Sequence, residues 1–319
     1  MRRTTQNRIT SRCFICGGDF SGSRFAALDA EGSRYEVLFC NRCGLGKTEP
    51  FLTEDELKRI YSSSYRREDS TRFPAFLERF ISIVRDGRRR SVERYAQKGR
   101  ILDIGCGRGD FLLKMLSYGW ECFGLELDER VSRHNRPGME LKYGSLSNHR
   151  FPDAYFSAVT FWHVFEHLRD PEWALGECSR ILKPGGLLVV AVPNMESLQS
   201  RLSGRGWFHL DPPFHLYHYS ARNIKRLLEK SGFEVKAAKH FSFEYNPYGF
   251  IQSFYNRLGL SQNQLYDFLR SRSGGSAALV FTLATLPVVA LLSVLLSVTE
   301  ALFRAGGTVE VYARKKERR

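Results

Sequence analysis

The stretch ILDIGCGRGD, from Ile101 to Asp110, decides the fold class of this chain. A short apolar run ends in an acid and passes directly into three glycines, a pattern typical of a buried strand, a tight turn and a helix start. Glycines let the backbone approach a ligand closely, and the free N–H groups of a helix N-terminus attract negative charge. A second acid, Glu126, lies 21 residues after Gly105, where it could bind a ribose diol. A dinucleotide site is the competing interpretation, although its usual spacing is G-x-G-x-x-G.

Short apolar runs alternate with helical patterns from residue 100 onward, which predicts β-α units and a parallel sheet. Ser220 is a good N-cap for one of the helices, and Gly232 suits its C-cap. We expect strands at 100–104, 121–126, 159–163, 187–193, 233–243 and 308–314, and helices at 73–98, 109–119, 171–182 and 221–231.

Composition limits the class of protein. The 319 residues suffice for two domains of about 150 residues, and 43% of them are hydrophobic, which excludes a disordered tail or a disulfide-held mini-protein. The formal net charge of +14 favours anionic surfaces such as phospholipid, phosphorylated substrates or RNA. No apolar leader follows Met1, and the seven cysteines are odd in number, so we expect a reducing compartment and metal ligation.

Two Cys-x-x-Cys pairs lie near the N-terminus, Cys13 with Cys16 and Cys40 with Cys43. Four thiolates in this arrangement form the tetrahedral sulfur set that zinc prefers. Because protein fills all four positions, the predicted site is closed and structural. Zinc would stabilise a segment too small to form a core of its own.

An apolar segment near the C-terminus carries no charged residue from Ser273 to Thr299. Its length suits a membrane span, but Pro287 lies near its middle and a predicted strand of the sheet follows it. A helix–break–helix that enters and leaves by the same membrane face satisfies both features, and it would keep Arg270, Arg272 and Arg304 at the headgroups. A buried core hairpin or a dimer interface is the alternative.

The chain resembles the class I S-adenosylmethionine-dependent methyltransferases. Asp103-x-Gly105-x-Gly107-x-Gly109 is similar to their first motif, and Glu126 to their ribose-binding acid. The segments FWHVFEHL, at 161–168, and LKPGG, at 182–186, resemble the elements around strands four and five. Within the class the chain is most similar to a subgroup with an N-terminal zinc ribbon and a following "Y…Y" segment, here Tyr61 and Tyr65. Such proteins are often found with surface-polysaccharide or lipid-modifying enzymes.

This resemblance implies an α/β fold with a Rossmann-like, seven-stranded, mostly parallel sheet and helices on both faces. It also implies S-adenosylmethionine as cofactor. Ser145 stands where relatives commonly carry an aspartate, which puts one adenine contact in doubt. The cofactor-binding residues implied are Asp103, Gly105, Gly107 and Gly109 for the methionine moiety, Glu126 for the ribose, Leu127, Ser145 and Leu146 for the adenine, and Trp162 in the pocket wall.

The acceptor side has two candidate catalytic residues. His215 matches a "P-x-H" element of relatives and is the predicted general base, with a structural polar contact as the alternative. His163 is expected to line the cofactor pocket. Glu166 and His167 resemble a point where quinone O-methyltransferases can hold a divalent ion, and a capping and packing role is the alternative.

The predicted activity is methylation of an oxygen on a saccharide or lipid-linked acceptor, at the cytoplasmic face of a membrane reached through 273–304. An RNA methyltransferase or a non-catalytic cofactor-binding scaffold remains as an alternative, although the spread of charge disfavours nucleic acid.

The predicted organisation of the chain has six parts. They are a basic tail at 1–12, a zinc ribbon at 13–50, a helical linker or lid at 51–98, the methyltransferase core at 99–245, a membrane-associated helical insert at 246–305, and the last core strand with a basic tail at 306–319.

Overall fold

A computed structural model of the chain describes residues 12–28, 33–53, 56, 75–128, 137–260 and 277–317. The predictions that concern Tyr61, Tyr65, Arg270 and Arg272 lie outside the described residues, as does nearly all of the N-terminal basic tail.

A seven-stranded sheet forms the centre of the molecule, which confirms the predicted fold class. The strands are β4 (Arg100–Ile104), β5 (Glu121–Glu126), β6 (Met139–Tyr143), β7 (Phe156–Trp162), β8 (Leu182–Pro193), β10 (Phe233–Lys239) and β11 (Thr308–Lys315). Their order in the sheet is β10-β11-β8-β7-β4-β5-β6. The five strands from β8 to β6 in that order are parallel, whereas β10 and β11 are antiparallel. Parallel strands bury both faces, and the run from Leu187 to Ala191 is almost wholly inaccessible to solvent.

Helices cover the sheet where the apolar periodicity predicts them. A capping box between Ser220 and Asn223 starts one helix, and Asp170 caps the helix that begins with Pro171. The helices are α1 (Ala75–Tyr95), α2 (Asp110–Leu116), α3 (Pro171–Ile181), α4 (Leu198–Ser203), α5 (Ala221–Lys230), α6 (Asn246–Arg257) and α7 (Ala277–Leu302).

A small antiparallel sheet carries the N-terminal cysteines. It consists of β1 (Phe20–Leu28), β2 (Arg34–Cys40), β3 (Gly46–Glu49) and β9 (Tyr217–His218). Because β9 belongs to the loop that follows α4, the cysteine-bearing segment and the core share one sheet.

The apolar C-terminal segment differs from its prediction. The prediction of a helix–break–helix at Pro287 is wrong, because α7 is one helix of 26 residues that continues through this proline. The proline removes one backbone donor, and the remaining helical bonds and the packing of α6 against α7 outweigh that loss. The helical hairpin is instead formed by α6 and α7 together, which lie between β10 and β11 in the chain.

Helix α7 is long and apolar enough to cross a membrane, judged by length and composition. Within Ala278–Leu302 the most apolar window has a mean hydropathy of 2.6, and 22% of that window is buried.

Candidate functional site

The glycine elbow between β4 and α2 needs glycine for two different reasons. Gly105, Gly107 and Gly109 have φ angles of 73°, 52° and 71°, a region that other residues rarely adopt. A Cβ on Gly105 would lie 2.3 Å from a methyl carbon of Val164, so this position must be small for packing. A Cβ on Gly107 would meet no atom of the described chain within 4 Å. Position 107 therefore faces open space in which a ligand can approach the backbone.

The two predicted acids lie at the carboxyl ends of neighbouring parallel strands. Glu126 ends β5, and its Oε2 accepts a hydrogen bond of 2.8 Å from the Gly107 N–H. Asp103 lies near the end of β4 and accepts a bond of 2.6 Å from the hydroxyl of Thr160. Burial raises the pKa of Asp103 to about 7. The elbow and the two carboxyls are thus brought together, as a sulfonium nucleoside site requires.

The predicted adenine contacts lie beside Glu126. The turn after β6 is joined to this strand end, because the Gly144 N–H donates to the Glu126 carbonyl at 2.8 Å. The Ser145 hydroxyl donates to the side-chain oxygen of Asn148 at 2.7 Å, and the same oxygen accepts from the Ser145 N–H at 2.8 Å. Leu146 is buried, whereas Leu127 is 60% exposed and therefore accessible to a flat apolar ring.

Arg88 is a site residue that the sequence pattern does not reveal, because a run of basic residues such as Arg88-Arg89-Arg90 is typical of a solvated helix face. In the structure Arg90 has 66% of its side chain exposed, whereas Arg88 has 13%. Arg88 pairs with Glu244 at 2.7 Å, and its guanidinium lies 4.8 Å from the centroid of the Trp162 ring. An arginine fork here could hold a ligand carboxylate.

The spacing of apolar residues along α1 could have identified Arg88 as an inward-facing residue. The residue lies four positions from both Val84 and Val92, so it shares the face of α1 that packs inward.

Trp162 and His163 lie at the carboxyl end of β7, where Tyr245 packs on His163 and Arg88 contacts both Trp162 and Tyr245. Trp162 is buried, and its Nε1 has no hydrogen-bond partner among the described residues, so it can donate to a ligand. His163 has a φ of 56°, a strained conformation that is typical of functional positions. Its ring centroid lies 3.8 Å from that of Tyr245. Burial, together with the positive charge of Arg88, lowers the pKa of His163 to about 3, so this imidazole is neutral.

His215 faces a buried carboxyl on the acceptor side. Its Nδ1–H donates a hydrogen bond of 2.8 Å to the carbonyl oxygen of His209. In the neutral ring, Nε2 then carries the lone pair. This Nε2 lies 3.9 Å from Oε1 of Glu166 and 3.9 Å from Oδ2 of Asp211. Burial lowers the pKa of His215, so the loop after β8 presents a neutral imidazole whose Nε2 lone pair is available to accept a proton.

Glu166 is the polar centre of this region. Its side chain is 1% exposed, and neither carboxyl oxygen has a hydrogen-bond partner among the described residues. Burial raises its pKa. Glu166, His167 and His215 each offer an atom within 4.8 Å of the others, so the set also fits the divalent ion considered from the sequence.

The four N-terminal cysteines form one cluster. All four Sγ atoms lie within 4.8 Å of one another, with 3.5 Å between Cys13 and Cys43 and 3.4 Å between Cys16 and Cys40. Sulfurs around a tetrahedral zinc lie about 3.8 Å apart, since the Zn–S distance is about 2.3 Å. Cluster and ion fit each other, and four protein ligands leave no position for catalysis.

The cysteine-bearing sheet also contacts the acceptor loop. The hydroxyl of Thr48, on β3, donates to the carbonyl oxygen of His215 at 2.6 Å and lies 2.9 Å from Nε2 of His218. The Asn223 side chain donates to the carbonyl oxygen of Cys43 at 2.7 Å. Buried hydrogen bonds therefore join the cysteine-bearing sheet to the backbone of His215, and the cluster itself to α5.

The fold and the elbow define a Rossmann-like methyltransferase. In agreement, a methyltransferase domain family matches residues 75–238, which is over half of the chain, and the chain belongs to this family. A probable S-adenosylmethionine-dependent methyltransferase of Mycolicibacterium smegmatis is 33% identical over 141 residues, covering 43% of this chain and 52% of the relative. The chain spans about half the length of that relative.

Two further proteins are informative. A ubiquinone biosynthesis O-methyltransferase of Maricaulis maris is 31% identical over 171 residues, covering 49% of this chain and 66% of the relative. The crystal structure of a putative sarcosine dimethylglycine methyltransferase from Galdieria sulphuraria has a TM-score of 0.51 at 17% identity, covering 82% of this chain and 99% of that one. The structural likeness concerns the fold alone.

Proposed function

We propose that this protein transfers a methyl group from S-adenosylmethionine to a hydroxyl oxygen of a saccharide or lipid-linked acceptor. The reaction would take place at the cytoplasmic face of a membrane. One observation carries the choice of an oxygen acceptor: a neutral histidine, His215, has its lone-pair nitrogen in the buried loop after β8, 3.9 Å from the carboxyl of Glu166. The ubiquinone O-methyltransferase relatives, whose name indicates a lipid-like acceptor, support the proposal.

The residues of the donor side have separate roles. The elbow glycines and Asp103 would hold the methionine moiety, with Arg88 on its carboxylate. Glu126 would accept bonds from the ribose hydroxyls, and its present bond to the Gly107 N–H supports this role because it brings the carboxylate to the elbow. The remaining contacts would come from Leu127, Ser145, Leu146 and Trp162.

S-Adenosylmethionine supplies a methyl group on a sulfonium, which reacts once the nucleophile lies in line with the carbon–sulfur bond. His215 Nε2 would take the hydroxyl proton as the oxygen–carbon bond forms, and the electron pair of the carbon–sulfur bond would pass to sulfur. Glu166 would stabilise the protonated imidazole. His163 would line the pocket between donor and acceptor, since its ring packs against Tyr245.

A lipid-linked acceptor is supported by the path from the site to α7. Tyr245, which contacts His163, directly precedes α6. The next residue, Asn246, donates to Glu300 in the last turn of α7 at 3.0 Å. The apolar helix is therefore anchored one residue away from the wall of the site. An acceptor dissolved in lipid could reach His215 from this end. The cysteine cluster would hold one structural zinc ion.

A transfer assay tests the proposal. The purified protein is incubated with methyl-labelled S-adenosylmethionine and a membrane lipid extract, with water-soluble saccharides and RNA as parallel acceptors. Label in a lipid fraction is expected. His215→Asn should lower the rate at least a hundredfold without weakening cofactor binding, because general-base catalysis contributes about 10²–10⁴.

His149→Asn is the matched control, because His149 lies on the surface turn after β6. Label only in RNA would contradict the acceptor class. If EDTA abolishes turnover and magnesium restores it, the carboxylate–histidine set binds a metal ion, and His215 is not the base.

A further inference from the structure

The polarity of α7 is inverted relative to a helix on a water-soluble protein. Its buried positions are mostly polar, namely Thr282, Ser293, Ser297 and Glu300, with Leu279. Its outward positions are apolar: Val280, Leu291 and Leu302 are 66%, 63% and 79% exposed. In water the apolar side of a helix faces the core. The exposed apolar side chains of α7 therefore require an apolar surrounding outside the protein.

The width of the exposed face distinguishes the possible occupants. At 3.6 residues per turn, the exposed positions of α7 cover an arc of roughly 200°. A second helix contacts a narrower stripe than this. A second copy of the chain would thus leave much of the apolar face in water, whereas the acyl chains of a lipid layer would cover all of it.

Helix α7 is attached to the protein along its length. Near its start, the hydroxyl of Tyr255 donates to the carbonyl oxygen of Thr282 at 3.0 Å and lies 3.0 Å from the hydroxyl of Thr285. Near its end, Glu300 accepts from the Gly307 N–H at 2.8 Å. Both ends are therefore held on the same side, and the helix lies along the molecule instead of projecting from it.

The neighbouring helices continue this surface. Leu202 on α4, and Phe254 and Leu258 at the end of α6, are 51%, 44% and 50% exposed. Arg257 donates to the carbonyl oxygen of Leu202 at 2.6 Å, which joins α6 to α4. Exposed arginines lie among these residues, at positions 201, 205, 257 and 304. Apolar side chains beside cations suit an interface with anionic headgroups.

We propose that α7 lies lengthwise in one leaflet of an anionic phospholipid bilayer, with its apolar arc toward the acyl chains and these four arginines at the headgroups. The proposal rests on the proposed function for its membrane setting, but the binding that it describes needs no methyl transfer.

Vesicle binding of the full chain tests the partner. The probes are vesicles of phosphatidylcholine, with and without phosphatidylglycerol. The double variant Leu291→Gln, Leu295→Gln should bind at least tenfold more weakly to both, because two apolar side chains no longer enter the lipid. Leu113→Gln is the matched control, since Leu113 is 44% exposed on α2. A variant with Arg201, Arg205 and Arg304 changed to Gln should lose about fivefold per arginine on anionic vesicles only.

Depth measurements test the orientation. Single tryptophans at Val280, Leu291 and Leu302 should be quenched equally by bromine at one acyl-chain depth, with the signal of the parent protein subtracted. A gradient of depth along α7 would show a crossing helix and overturn the in-plane orientation.

Three other results would contradict a lipid bilayer as the partner of α7. They are absence of vesicle binding, undiminished vesicle binding of the double leucine variant, or a dimer of the parent protein that the double leucine substitution dissociates. S-Adenosylmethionine titration of each variant shows whether the core is intact. If the parent protein binds vesicles but transfers no methyl group, the proposed function is contradicted and the membrane orientation of α7 still holds.

Discussion

Gly107→Ala separates the ligand role of the elbow from its role in folding. Gly107 and Gly119 both have a positive φ, 52° and 85°, and a Cβ on either meets no described atom within 4 Å. A non-glycine residue in this conformation costs about 1–2 kcal/mol. Both alanine variants should therefore lower the melting temperature by a similar amount, roughly 2–6 °C for a chain of this size. Gly119 follows α2 and precedes β5, away from the strand ends that carry the acids.

The two variants should differ in ligand binding. At position 107 the added methyl group occupies the space beside the amide that donates to Glu126, where the nucleoside would lie. We expect at least a tenfold weaker Kd for S-adenosylmethionine or its demethylated product, which corresponds to about 1.4 kcal/mol. Isothermal titration calorimetry measures the affinity, and differential scanning fluorimetry measures the stability. Equal affinity of Gly107→Ala and Gly119→Ala would refute the assignment of this elbow to the cofactor.

Four further outcomes are expected. Cofactor binding should weaken as the pH falls below 7 and should release a proton, because Asp103, whose pKa is about 7, must ionise beside a cationic ligand; calorimetry in two buffers measures this, and Asp103→Asn should abolish it. Arg88→Gln should weaken binding roughly tenfold or more, and Arg90→Gln should not, by the same titration. Cys43→Ser should release the metal, as atomic absorption will show, and lower the melting temperature, since zinc ligation contributes about 10–16 kcal/mol to folding such segments. Thr48→Val should lower kcat with cofactor affinity unchanged, and retention of full activity would argue against support of the His215 loop by this hydroxyl.

Local chemistry made the donor side predictable. The turn, the first acid and the helix start are adjacent in the sequence, and the fixed order of β-α units places the end of β5 beside the end of β4. The metal-site prediction for the four cysteines was equally direct, because few structures other than a metal site use two Cys-x-x-Cys pairs.

Non-local pairing and competing local rules account for what was missed. Strand β6 is an edge strand with a half-exposed sequence, MELKY, so it lacks the apolar run that revealed its neighbours. Strand β9 has two residues and exists only because β3 pairs with it. At Pro287 the rule that proline breaks a helix did not hold, because this proline lies within a long apolar helix that packs on α6.

The donor and acceptor sides of this site differ in origin. The elbow, both acids and Trp162 lie on β4, β5 and β7 or in the adjoining turns, so the buried sheet itself fixes where the nucleoside would bind. On the other side, Thr48 of the cysteine-bearing sheet holds the His215 backbone, and the His163 ring packs against Tyr245, which directly precedes α6. Loops supported by peripheral segments can change without disturbing a packed core. Acceptor choice in this protein should therefore follow the cysteine-bearing sheet and the helical hairpin, while methyl-donor binding follows the glycine elbow.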